Sequence, residues 1–135
     1  MTLIGVPVAH VQDIWPAVGP RLARLLRKTG EPRYFLEDIL YKLEASEWQL
    51  WIWGDWEAVI ITQINIWPRA KEFNILMLEG QLNTGWEYGV VALEEVAKDL
   101  GCTFITGGGR LGWLRKFKKY GWHKKHCQLF KTLET

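Results

Sequence analysis

The chain has 135 residues, 48% of them hydrophobic and 24% charged, with a formal net charge of only +2. That length suits one domain around a single core, residues 1–135, and the charge alone does not argue for a nucleic-acid binder. Two cysteines without a C-x-x-C spacing exclude a disulfide framework, and the chain lacks both a signal-peptide pattern and an apolar run long enough to span a bilayer, so a reduced, cytoplasmic setting is expected.

Residues 3–10, LIGVPVAH, read as a first strand. Residues 20–28 read as a helix, with Pro20 at its first position and Leu22, Leu25 and Leu26 in one stripe. Residues 11–18 before it read as a further turn or two, broken by Pro16 and Gly19. After the break TGEP comes a second helix, 34–45, with Phe35, Ile39 and Leu43 spaced four apart.

The period then changes. Residues 48–53, 57–67 and 72–80 are rich in β-branched and aromatic residues and are separated by turn residues, which predicts a three-strand antiparallel meander. Residues 89–101 return to helical spacing, with Val90, Leu93, Val96, Ala97 and Leu100 on one face and Gly101 as the stop. Residues 102–106 are a short strand. Residues 110–120 are a helix stopped by Gly121, and residues 123–133 are long enough for one last strand.

The order is therefore β-α-α-β-β-β-α-β-α-β. The strand-helix-strand unit over 72–106 predicts parallel neighbours joined by a right-handed crossover, with a wedge-shaped gap between their C-terminal ends. The basic end of the chain is amphipathic. Trp113, Leu114, Phe117 and Tyr120 share one arc of a helical wheel, and Arg115, Lys116 and Lys119 share the other. The aromatics are expected toward a core and the cations toward water, so nucleic acid would bind weakly, nonspecifically and with steep salt dependence. His10, His123 and His126 show no metal-ligand spacing, and no metal site is expected.

This order of elements, with EEVAKDLGC before the fifth strand and KKYGW after the last helix, resembles the GCN5-related N-acetyltransferase (GNAT) superfamily over nearly the whole chain. Within it, the likeness is to small phage- and prophage-encoded members. Ala97 to Gly101 and Gly121-Trp122 are the fold markers. The resemblance implies an α/β domain with a mixed, splayed central sheet. It also implies acetyl-CoA as cofactor, and a small-molecule or protein amine as acceptor.

It further implies a pyrophosphate loop of the pattern Gln/Arg-x-x-Gly-x-Gly/Ala, whose backbone N–H groups and helix N-terminus meet the phosphates. Aligned back from Ala97, the loop is Gln81, Leu82, Asn83, Thr84, Gly85 and Trp86. Gln81 fits, whereas Thr84 and Trp86 stand where the family has small residues. Trp86 reads either as the first core residue of the helix 89–101 or as a ring lying in the cofactor groove. Gly107 to Gly109 open the last helix, and Arg110 is the side chain expected to meet a CoA-like phosphate.

Glu79, closing the fourth strand, is the candidate base, against the plainer reading of a solvent-facing strand-end carboxylate. Phe117 stands where the family often has a proton-donating Tyr, and Tyr120, one turn on, is the candidate donor. Two classes follow. One is an acetyl-CoA-dependent N-acyltransferase with a diverged phosphate loop. The other is an inactive binding module on the same scaffold, acting on a protein or nucleic acid.

Overall fold

The computed structural model describes residues 2–80, 86–108, 115–126 and 128–134. Its centre is one five-stranded sheet in the order β1-β2-β3-β4-β5: Leu3–Gly5, Trp48–Trp53, Ala58–Trp67, Ala70–Gly80 and Phe104–Gly107. The first four strands are antiparallel neighbours, and β5 lies parallel to β4. Helices α1 (Val11–Thr29) and α2 (Leu36–Glu44) cover one face of the sheet, and α3 (Trp86–Asp99) covers the other. This is the mixed α/β sheet that the sequence pattern predicts.

Period-two alternation sorts the strand residues. Trp48, Leu50, Ile52, Val59 and Ile61 pack with Val11, Val18 and Leu22 of α1 and Ile39 and Leu43 of α2. Trp53, Ala58, Ile60 and Phe73 pack with Leu93 and Ala97 of α3. On the α3 side, Trp51 meets Phe73 edge-on at 6.4 Å and donates its indole N–H to the buried Thr62 hydroxyl at 2.8 Å. That hydroxyl in turn donates to Gln49 Oε1 at 2.9 Å, so both the indole N–H and the buried hydroxyl are satisfied.

Helix α1 runs unbroken through Pro16, Gly19 and Pro20, where the sequence suggests a break at Pro16 and Gly19 and a new start at Pro20. Both prolines are exposed, so the carbonyls of Gln12 and Pro16, which lose their N–H donors, lie toward water. The opposite stripe, Val11, Val18 and Leu22, is buried and holds the helix on the sheet. Gly30 closes it in a left-handed conformation, φ 64°. Phe35 does not continue the α2 stripe. It precedes the helix, its N–H donates to the Asp38 carboxylate at 2.8 Å, and its ring is exposed.

Three further expectations change. Residues 8–10 form a 3-10 turn, which ends β1 at Gly5. Leu100 is exposed, because the chain leaves α3 through Gly101 at φ 78°. The tail contains no strand among residues 123–126 and 128–134. Leu129, Phe130 and Leu133 fall at a spacing that no single strand face can collect, and all three are exposed.

Residues 115–120 are helical as expected, but residues 118–120 tighten to a 3-10 turn before Gly121 at φ 91°. Tyr120 is exposed rather than turned to a core: it is the last residue of this turn, before the chain leaves through Gly121. Arg115, Lys116 and Lys119 are exposed, and Phe117 packs on Trp122 at 5.6 Å. Trp122 donates to Glu94 Oε1 at 2.8 Å and so ties this turn to α3. Trp113 and Leu114 lie outside the described residues.

Candidate functional site

The site begins with a mismatch in strand length. β4 and β5 pair from Glu72↔Phe104 to Ile75↔Gly107, and β4 then continues to Gly80. Among the described residues, no strand covers that edge of β4 beyond Ile75. The pairing of β4 with β3 slips at the same place: Thr62 opposes Ile75 and Ile61 opposes Met77, so Leu76 is an extra residue. A bulge of this kind re-aims the side chains that follow it.

The re-aiming decides which residue enters the site. Phe73 and Ile75 face α3, whereas Leu76 and Met77 both pack on the α1 and α2 side. Leu78 returns to the α3 side, and Glu79 comes to face α1. There Arg21 donates from Nε to Glu79 Oε2 at 2.5 Å, and Arg24 Nη2 lies 3.9 Å from Glu79 Oε1. Arg21 and Glu79 are only 19% and 18% exposed, against 66% for Arg24. The two arginines stand one turn apart on α1, so the same helix face presents both.

Arg21 also reaches the β2–β3 hairpin. Its Nη1 donates to the Trp56 carbonyl at 2.7 Å and its Nη2 to the Glu57 carbonyl at 3.4 Å. Trp56 is held at φ 61°, a strained conformation for a residue with a side chain. Gly80 passes so close to this hairpin that a Cβ would lie 2.1 Å from the Glu57 carbonyl oxygen, which excludes any other residue.

Between α1, the hairpin and the end of β4 lies a cleft of about 510 Å³. It is lined by Arg21, Arg24, Asp55, Trp56, Glu57, Glu79 and Gly80. The Glu57 side chain is placed differently from the rest. Its Oε2 is buried, and no donor among the described residues reaches it. The cleft thus combines one internally neutralised ion pair, an exposed arginine, an exposed aspartate, a partly exposed indole and one carboxylate oxygen without a partner among the described residues.

Of the residues singled out from the sequence, Glu79 lies in this cleft. Trp86 is the first residue of α3. Gln81, Leu82, Asn83, Thr84, Gly85 and Arg110 lie outside the described residues. Tyr120 sits in the exposed 3-10 turn, with Lys119 Nζ 5.2 Å from its ring centroid, and is not among the residues lining the cleft. Sequence reasoning missed Arg21, Arg24, Asp55, Trp56 and Glu57. The only signal was an i, i+3 arginine pair on a helix and a Gly-Asp turn, and both patterns also describe ordinary solvated surface.

No protein-family model matches this chain, and no curated protein matches it in sequence. Solved structures do match it in shape. A crystal structure of a probable acetyltransferase superposes with a TM-score of 0.72 at 8% identity, covering 100% of this chain and 98% of that one. A GCN5-related N-acetyltransferase from Ralstonia eutropha JMP134 gives 0.68 at 16% identity over 98% of this chain and 97% of that one. A predicted acetyltransferase from Clostridium acetobutylicum, crystallised with acetyl-CoA, gives 0.67 at 17% identity over 97% and 95%. Likeness at these identities establishes the acyl-CoA N-acyltransferase (GNAT) type of fold, from end to end of the chain.

Proposed function

We propose that this chain is an N-acyltransferase that takes its acyl group from acetyl-CoA and delivers it to an amine in the Glu79 cleft. One observation carries the reading. β4 leaves its parallel partner at Ile75, bulges at Leu76, and ends in a carboxylate that faces an open cleft. The edge of β4 from Leu76 to Gly80 leaves backbone N–H and C=O groups free of a strand partner among the described residues, which suits an extended amide-bearing arm. When bound, acetyl-CoA would supply an acyl group already activated as a thioester.

The chain's own residues then have separate tasks. Gln81 to Trp86 and Arg110 are the proposed contacts for the cofactor's phosphates, on the strength of the sequence resemblance, as is the narrower likeness to phage-encoded members. Arg21 fixes Glu79 through Oε2, which leaves Oε1 as the oxygen proposed to accept the proton of the acceptor amine. Tyr120 Oη is the proposed proton donor to the departing sulfur. A binding module remains the second reading, favoured by the exposed cations Arg115, Lys116, Lys118, Lys119, Lys124 and Lys125.

Acetyl-CoA separates the two. A ligand at 100 times its Kd adds about 2.7 kcal/mol to stability, roughly 7 °C for a domain near this size. A smaller positive melting shift is expected, since Trp86 replaces a small residue in the phosphate loop. Thiol release with a panel of amines should follow, and Glu79→Gln should lower kcat about 100-fold while the melting shift is retained. No shift and no thiol release at millimolar acetyl-CoA would leave the binding module as the function.

A further inference from the structure

Within the cleft, most charges already have what they need. Arg21 and Glu79 satisfy each other, and Arg24 and Asp55 reach water, where a further ion pair stabilises little. Glu57 is the exception. Its backbone is held on both sides, with its N–H donating to the Trp53 carbonyl at 3.1 Å and its carbonyl accepting from Arg21. Glu57 lines the cleft, and its side-chain Oε2 is buried and lacks a donor among the described residues.

A carboxylate oxygen in that state has lost its hydration without gaining a hydrogen bond. It gains more from an arriving cation than any solvated group in the cleft does. Trp56, next in the chain and 39% exposed, adds an indole to the same cleft, and indole faces attract ammonium groups.

We infer that Glu57 is the acceptor-binding residue of this cleft, holding the ammonium group of an aliphatic amine that carries no carboxylate of its own. The inference rests on the N-acyltransferase reading in one respect, that the bound amine is the group that receives the acyl chain. Arg24 is the counter-indication, because an exposed guanidinium would equally welcome an acceptor's carboxylate.

Four probes of similar length test it: butylamine, putrescine, γ-aminobutyrate and butyrate, titrated by calorimetry at low salt without acetyl-CoA. The two amines should bind, and butyrate should not. Glu57→Gln, close in shape, should weaken the amines about tenfold or more, while Asp55→Asn should change them less than about threefold. The Glu57→Gln protein should melt no lower than the wild type, because the oxygen it replaces has no hydrogen-bond donor among the described residues. Equal affinity in wild type and Glu57→Gln, a preference for γ-aminobutyrate or butyrate, or no binding of any probe would each overturn the assignment. Amine binding through Glu57 in a protein that neither binds nor consumes acetyl-CoA would keep the cation site and end its identity as an acceptor site. Turnover with γ-aminobutyrate but not with the amines would end the Glu57 assignment and leave the acyltransferase reading in place.

Discussion

The two ends of β4 each carry a glutamate, and they are built on opposite plans. At the β5-paired end, Glu72 accepts hydrogen bonds from Thr106 Oγ1 at 2.5 Å, Trp67 Nε1 at 2.9 Å and Asn65 Nδ2 at 3.2 Å. Lys71 adds ties to the Leu100 carbonyl and to Thr103, so α3 and β5 are stitched to the strand there. At the far end, Glu79 is held by a guanidinium from across the molecule, and Glu57 beside it has an oxygen that nothing holds among the described residues. Satisfied polar groups fix a fold, whereas unsatisfied ones near a cleft are available to a ligand. The same strand therefore serves as scaffold at its start and as site at its finish.

The sharpest way to break this contrast is Gly80→Ala. A methyl group there would meet the Glu57 carbonyl and Ala58 Cα, at φ 145°. Strain and overlap together should cost about 3–5 kcal/mol, read by urea unfolding. A loss below about 1 kcal/mol would show that the hairpin and the end of β4 are not wedged together.

Arg21→Met ranks next. It leaves Glu79 partly buried opposite an apolar side chain and should cost about 2–4 kcal/mol, less than a fully buried pair because both partners keep some solvent. Adding Glu79→Gln should restore part of that loss in a double-mutant cycle. Two independent, additive effects would show that the pair is not coupled.

At the scaffold end, Glu72→Ala should cost about 1–3 kcal/mol from three lost hydrogen bonds. Its pH behaviour sharpens the comparison. Burial pushes the Glu72 carboxyl up, and the bonds from Thr106, Trp67 and Asn65 more than offset this, so its pKa lies below its ordinary value of 4.5. The folded state therefore binds that proton less readily than the unfolded chain. The stabilisation is complete above the ordinary value and is lost as pH falls through the folded value. Melting temperature below pH 5 should fall less steeply in Glu72→Ala than in the wild type, and parallel curves would remove Glu72 from the account. The smallest effect belongs to Leu129→Ser in the exposed tail, within about 0.5 kcal/mol of wild type.

The scaffold end was far more legible in the sequence than the site end. Val90, Leu93 and Ala97 announce their helix by spacing, and Gly101 stops it. The alternating strands announce their faces, and the parallel β4–β5 pair follows from the strand-helix-strand unit. The bulge did not show, because apolar residues on both sides of NILMLEG hide a slip in period two. Pro16 and Gly19 suggested a broken helix, since the sequence does not say which face of α1 meets water. The pairing of Arg21 with Glu79 spans 58 residues and has no local signature. Glu79 itself was read only from its place at the end of a strand, and the tail was taken for a strand on its length alone.

The extra residue at Leu76 makes the register along β4 a chemical quantity. Delete one residue between Ile75 and Leu78, and period-two alternation runs straight through. Glu79 would still face Arg21 and Leu78 would still face Leu93, because the loss takes out only the residue that the bulge adds. If instead every residue were kept and the bulge straightened, Leu78 would project toward Arg21 and Glu79 would be driven into the apolar layer beneath Leu93. In a lineage carrying this fold, a one-residue gap at the bulge is therefore expected to leave the carboxylate of the cleft in place.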